Sequence, residues 1–256
     1  MLLALDVGNT NIVLGVFDGE QLVADVRLHT EARTTGDELG LLVTGLLRAR
    51  GLDPAAIRRV VVSSVVPALH RSVVDLAINS FGVEALIVGP GVRTGMRILY
   101  DDPRQVGADR IVNAIAAYHR YGGPAVLVDL GTATTFDALA ASGDYLGGAI
   151  APGMLISLDA LVSRAAKLNR IDPVAPPSVI GRTTTTSMQA GLVFGYAGLI
   201  EGVVARMRAE LGPETRVIAT GGLAELIAGH TNCIDTVDQR LTLDGLRMIS
   251  ELNPEE

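Results

Sequence analysis

An apolar run that ends in an aspartate, then a glycine, small polar residues and a second apolar run, occurs twice in this chain. The first copy is Leu2-Leu3-Ala4-Leu5-Asp6-Val7-Gly8-Asn9-Thr10-Asn11, continuing into Ile12-Val13-Leu14-Gly15-Val16-Phe17. The second is Ala125-Val126-Leu127-Val128-Asp129-Leu130-Gly131-Thr132-Ala133-Thr134-Thr135. Each reads as strand, tight turn, strand. Alone, either turn is as readily an ordinary hairpin as a phosphate-binding turn. In the second case Gly8 lets backbone approach a ligand, Thr10 and Asn11 offer donors, and Asp6 faces a cation bound to phosphates. Recurrence narrows the choice, because the copies open the two halves of a 256-residue chain. It predicts a duplicated α/β domain with a nucleotide between its halves, here drawn as 1–115 and 116–256.

Composition removes several function classes. A net charge of −7 and a pI near 5.1 argue against a nucleic-acid surface, which needs a basic footprint. The single cysteine, Cys233, excludes an intramolecular disulfide framework and any cysteine-rich metal site. His29, His70, His119 and His230 are scattered, without the spacing of a zinc site, and no Ser-His-Asp arrangement is supported. The best apolar run, from Gly191 to Ala205, is interrupted by Glu201 and falls short of the ~20 residues of a membrane span. No basic region precedes the N-terminal apolar stretch, which Asp6 breaks, so no signal peptide is expected and a cytoplasmic location is.

Along the chain, Gln21 to Leu28 predicts a third strand. Asp37 to Arg50 predicts a helix with Leu39, Leu42, Val43, Leu46 and Leu47 on one face. Val106-Gly107-Ala108-Asp109-Arg110 leads into a helix from Ile111 to Tyr121. An acid in a first turn is helped by the helix dipole, so Asp109 serves equally as a plain helix-start residue; the adjacent Arg110 and Gly107 are not required by that role. Gly147-Gly148 and Pro152-Gly153 suggest backbone close to a ligand or to another strand. Thr183-Thr184-Thr185-Thr186 precedes a long helix from about Met188 to Leu211, and either caps it or touches a substrate. Its Gly191, Gly195, Gly198 and Gly202 form a small-residue face. Thr220-Gly221-Gly222 lies at a strand-to-helix turn, a recurrent nucleotide contact.

Phosphoryl transfer needs a phosphate cradle, a metal, and a group that receives the hydroxyl proton. The two Asp-x-Gly turns can supply the cradle and hold cations through Asp6 and Asp129, and Asp109 can act as base with Arg110 orienting substrate. No Walker lysine motif is present, which excludes the P-loop class.

With these motifs, and with Gly147 to Gly153, Ser163 to Leu168 and Ala219 to Ala224, the chain resembles the type III pantothenate kinases of the sugar kinase, actin and chaperone ATPase superfamily. The likeness runs from residue 1 to about residue 250. It implies two ribonuclease H-like, actin-like ATPase halves, each a mixed sheet flanked by helices, with nucleotide in the cleft between. It implies ATP-dependent phosphorylation of the primary hydroxyl of pantothenate, the first step of coenzyme A synthesis. ATP phosphates would bind Asp6, Val7, Gly8, Asn9, Thr10, Asn11, Ile12 and Val13, helped by Thr132, with Asp6 facing Mg²⁺. Asp109 would accept the proton. Tyr100, Gly107, Ala108, Asp109, Arg110 and Thr184 would contact pantothenate. Asp129 would hold a monovalent cation, K⁺ or NH₄⁺. A homodimer to which the helix from Met188 contributes is implied as well, with neither nucleic acid nor membrane as partner. Some relatives carry a lysine in the first turn, where this chain has Val13.

Two other classes share this fold. In a regulatory accessory protein, nucleotide binding would switch partner affinity without turnover, and an Asp109-Arg110 pair would have no task. A chaperone-like ATPase would need a large added partner domain, for which 256 residues leave no room.

Overall fold

The computed structural model of the chain describes residues 1–254. Two five-stranded sheets account for the strands. In the first, β1 (Leu2–Val7), β2 (Asn11–Asp18) and β3 (Gln21–His29) form an antiparallel meander. β4 (Arg59–Ser64) lies parallel to β1, and β5 (Ala85–Ile87) parallel to β4, giving the order β3-β2-β1-β4-β5. In the second, β6 (Ala125–Leu130), β7 (Ala133–Leu139) and β8 (Tyr145–Pro152) make the same meander. β9 (Arg216–Thr220) and β10 (Thr236–Val237) add parallel strands on the β6 side. The order of connections is the same in both sheets, as the repeated turn predicts.

Helices fill the crossovers, because parallel neighbours cannot be joined by a hairpin. They are α1 (Gly36–Ala49) and α2 (His70–Leu76) in the first half, then α3 (Ala108–Tyr121). The second half has α4 (Met154–Arg164), α5 (Thr184–Leu211), α6 (Ala224–Ala228) and α7 (Leu241–Leu252). Contacts divide the chain into two units. Of the described residues, one holds 1–95, 102–116 and 241–254, the other 96–101 and 117–240. A single cut at 115/116 therefore differs from the contacts at two places: α7 belongs with the first sheet, and a short strap from Met96 to Asp101 with the second.

Each unit has its own mainly aliphatic core, in keeping with the 4% of aromatic residues in the chain. In the first, Leu3, Leu5 and Val7 of β1 and Val60 and Val62 of β4 meet Leu39, Val43 and Leu47 of α1. Leu42, expected on that face, is 50% exposed, because the turn angle carries it past the edge of the buried stripe. In the second, Val126, Val128 and Leu130 of β6 meet Leu192, Val193, Tyr196, Ile200 and Val204 of α5. At 28 residues α5 is long and apolar enough to cross a membrane by length and composition. That apolar character has a local use, since this face packs on the core of its own unit.

Candidate active site

The first turn is shaped by backbone bonds. The Gly8 N–H donates to the Asn11 carbonyl (3.0 Å), and Thr30, one residue past β3, clasps it from outside. The Thr30 hydroxyl donates to the Gly8 carbonyl (2.7 Å) and its N–H to the Thr10 carbonyl (3.0 Å). Asn9 and Thr10 are left exposed at the tip, while Asp6 is half-buried at its base. Thr30 has no motif to betray it, and the sequence reading passed over it.

The second turn is one residue shorter: across their hairpins Asp6 pairs with Val13, seven residues on, and Asp129 with Thr135, six residues on. The Gly131 N–H donates to the Ala133 carbonyl (3.1 Å), with Thr132 exposed at the tip. Gly221 has φ +95°, and a Cβ there would lie 2.5 Å from Asp129 Oδ1 and 2.8 Å from the Leu130 backbone. The strand-to-helix turn after β9 thus presses on the Asp129 carboxylate, which explains Gly221, whereas a Cβ at Gly222 would meet nothing within 4 Å. Gln239 holds that turn from the other side, its amide donating to the Gly221 carbonyl (3.1 Å). Nothing in the sequence around Gln239 announces this.

The glycines of β8 have a structural cause. A Cβ at Gly148 would stand 1.7 Å from the Phe136 carbonyl oxygen, and one at Gly153 would stand 2.1 Å from that of Thr132. The close approach is to the neighbouring strand and to the turn. Gly147 is different: its open face lies against the Tyr100 ring, 3.4 Å from where a Cβ would be. Tyr100 reaches it because the strap docks on β8, with the Leu99 N–H donating to the Tyr145 carbonyl and the Tyr145 N–H to the Arg97 carbonyl (both 2.8 Å).

Asp109 is the second residue of α3, so the helix begins earlier than Ile111. Its Oδ1 accepts the Arg110 N–H at 2.9 Å. A Cβ at Gly107 would fall 2.5 Å from the same oxygen, so only glycine leaves the carboxylate room to fold back over the helix start. Burial pushes the Asp109 carboxyl above the usual range, against the opposing pull of the Arg110 N–H and guanidinium charge. Ala108 opens the same turn, and the adjacent Arg110 is buried.

The four threonines divide their labour. Thr183 caps α5, accepting the Thr186 N–H at 3.1 Å, while Thr186 accepts the Thr183 N–H at 3.1 Å. The helix therefore starts at Thr184 and not near Met188. Thr184 lines a groove of about 930 Å³ with Leu158, Leu161, Met188, Leu192 and Tyr196. Of the expected site residues, then, Asp6 to Val13, Gly107, Ala108, Asp109 and Arg110 belong to the first unit. Tyr100, Asp129, Thr132 and Thr184 belong to the second.

Two sheets of one topology, each opened by an Asp-x-Gly turn, define the actin-like kinase and ATPase class. Solved structures with this fold include an inorganic polyphosphate/ATP-glucomannokinase from an Arthrobacter strain, at TM-score 0.55 and 16% identity over 98% of this chain and 99% of that one. A protein described as a conserved Baf family transcriptional activator from Campylobacter jejuni has TM-score 0.63 and 19% identity, over 98% of both chains. At such identities the likeness speaks to fold alone. The sequence speaks to more: a type III pantothenate kinase family model matches residues 2–206. Relatives of that name are 53% identical over 253 residues in Moorella thermoacetica (99% of this chain, 100% of the relative) and 55% identical over 249 residues in Myxococcus xanthus (97% of each). The chain belongs to the type III pantothenate kinases, enzymes that phosphorylate pantothenate in coenzyme A biosynthesis.

Proposed function

We propose that the chain phosphorylates the primary hydroxyl of pantothenate to give 4'-phosphopantothenate with Asp109 as general base. The observation that carries this is the Asp109 carboxylate itself, held at the start of α3 beside Gly107 and raised in pKa by burial. A base whose pKa is shifted toward working pH transfers protons more effectively. Asp109 takes the hydroxyl proton, the oxygen bonds to the γ-phosphorus, and the bond to the bridging oxygen breaks so that ADP leaves with the electron pair. Arg110, Gly107, Ala108, Tyr100 and Thr184 contact pantothenate in this reading. The turns in residues 1–115 and 116–256 each serve the nucleotide, through Asp6 to Val13 and through Thr132.

The cations fit the donor set. Among the described residues no group of three or more His, Cys, Asp or Glu side chains forms a metal cluster. A lone carboxylate at each turn suits Mg²⁺, which keeps waters and binds through one or two carboxylates plus phosphates. Asp6 would hold Mg²⁺ and Asp129 the K⁺ or NH₄⁺ ion, and these charges would neutralise the phosphates. Homodimerisation through α5 completes the reading; it is supported by exposed Leu155, Ile156 and Leu161 on α4, beside the groove that α5 lines.

The test is ADP release with ATP and Mg²⁺, with and without pantothenate, in potassium and then in sodium buffer. Turnover that needs both pantothenate and potassium is the expected result. Nucleotide binding with no rise in ADP release on adding pantothenate in either salt would overturn the reading.

A further inference from the structure

Beside each turn acid, on the neighbouring parallel strand, stands a hydroxyl residue. Asp6 of β1 is in register with Ser63 of β4, and Asp129 of β6 with Thr220 of β9. Register partners in a parallel pair project to the same face of the sheet, so Ser63 shares the face of Asp6, opposite Leu5 and Val62. The duplication has kept a carboxylate and a hydroxyl side by side in both sheets, although the residues around them differ.

Ser63 is fully buried, yet its Oγ has no hydrogen-bond partner in the structure. It follows Val60, Val61 and Val62 on the central parallel strand. A hydroxyl shut away without a partner costs folding free energy, and alanine would fill this position without that cost. Such a group calls for an explanation in function. Thr134 Oγ1 is also buried without a partner, but Thr134 is in register with Leu130, on the face opposite Asp129. Among the described residues, only Ser63 combines the orphaned hydroxyl with a place beside a turn carboxylate.

We propose that Ser63 is a positioning residue for Asp6. When Mg²⁺-nucleotide is bound, its hydroxyl donates to the Asp6 carboxylate and fixes the rotamer in which Asp6 faces the cation. Partners of this kind behind a metal-facing carboxylate change metal affinity by about 10–100-fold when removed. The inference rests on the reading of Asp6 as the Mg²⁺-facing acid.

The experiment compares wild type, Ser63→Ala, Ser63→Cys and Asp6→Asn by thermal unfolding, first without ligand and then with ADP over a Mg²⁺ titration. Ser63→Ala is expected to keep or raise the ligand-free midpoint, since it deletes an unsatisfied buried group. It should raise the Mg²⁺ concentration for half of the ADP-induced shift about tenfold. Ser63→Cys, with a weaker donor, should fall between. A lower ligand-free midpoint for Ser63→Ala together with a wild-type Mg²⁺ titration would make the hydroxyl purely structural and overturn the proposal. Loss of the Mg²⁺ response in Asp6→Asn with a wild-type response in Ser63→Ala would overturn it while leaving Asp6 in its role. A wild-type response in Asp6→Asn would overturn both.

Discussion

The two turns sit at the same place in one strand order, the first a residue longer than the second, and they differ at equivalent places around it. The residue after the third strand of the first sheet is Thr30, which clasps the Gly8 turn by two hydrogen bonds. Its counterpart after β8 is Gly153, whose backbone touches the Thr132 carbonyl. The residue one past the hydroxyl position is Ser64 in the first sheet and Gly221 in the second, where backbone presses on Asp129. Gly221 lets main chain crowd the second acid and Gly153 lets it crowd the turn carbonyls, whereas the Thr30 side chain clasps the first turn. The helix after the fifth strand differs too. α3 opens with Ala108-Asp109 directly after Gly107, while α7 opens with Leu241 and carries its first acid, Asp244, buried. The duplicated scaffold thus carries a backbone-crowded acid at its second turn and, in the helix that follows the fifth strand of the first sheet, a first-turn acid raised in pKa by burial. That asymmetry is what the proposed division of labour between nucleotide-bound Mg²⁺, general base and monovalent cation would need.

Asp109→Asn should break the comparison most sharply. Removing a general base costs about 10²–10⁴-fold in turnover. The fold should persist, because the amide oxygen can still accept the Arg110 N–H. Near-normal kcat in a folded Asp109→Asn protein would take the base role away from α3. Asp129→Asn comes next. Halving the charge-bearing set of turn acids should abolish the advantage of potassium over sodium while nucleotide binding survives through the first turn. An unchanged potassium preference would mean that the crowding of Asp129 by Gly221 has nothing to do with a cation.

These asymmetries were unevenly legible. The two strand–turn–strand units and their Asp-x-Gly turns are legible in the sequence because apolar runs and turn residues are local signals. The buried face of α1 is legible from its spacing, with Leu42 an exception set by where the stripe ends. The start of α5 was misjudged by four residues because a Thr183–Thr186 cap looks like a polar loop until its bonds are seen. β10 is two residues long and carries no periodicity, so it went unread. Thr30, Ser63 and Gln239 owe their places to register and to bonds between distant segments, information that local pattern does not contain.

The smallest expected effect concerns stability and compares one acid from each unit. Burial raises the Asp109 carboxyl, with Arg110 opposing. Its favourable contribution to folding is full below the ordinary carboxylate pKa and is lost as pH rises through the raised folded value. Asp238 is the reverse case. Burial pushes it up, but the Tyr121 hydroxyl, the Arg240 N–H and the Arg120 guanidinium together outweigh that and hold it low. The Tyr121 bond is 2.7 Å and the Arg240 bond 2.9 Å. Its contribution is present above the ordinary carboxylate value and is lost as pH falls through the depressed one. Asp109→Asn should therefore raise the unfolding midpoint at neutral pH, and Asp238→Asn should lower it. Each shift should be about 2–4 °C if the acid is worth about 1 kcal/mol. Both differences should shrink in acid, where the wild-type carboxyls are protonated and resemble the amides. Midpoints measured from neutral pH down to the carboxylate range would check this. A loss of stability in Asp109→Asn at neutral pH would show that the acid at the head of α3 is there to hold the helix, and the poised carboxylate would no longer distinguish α3 from α7.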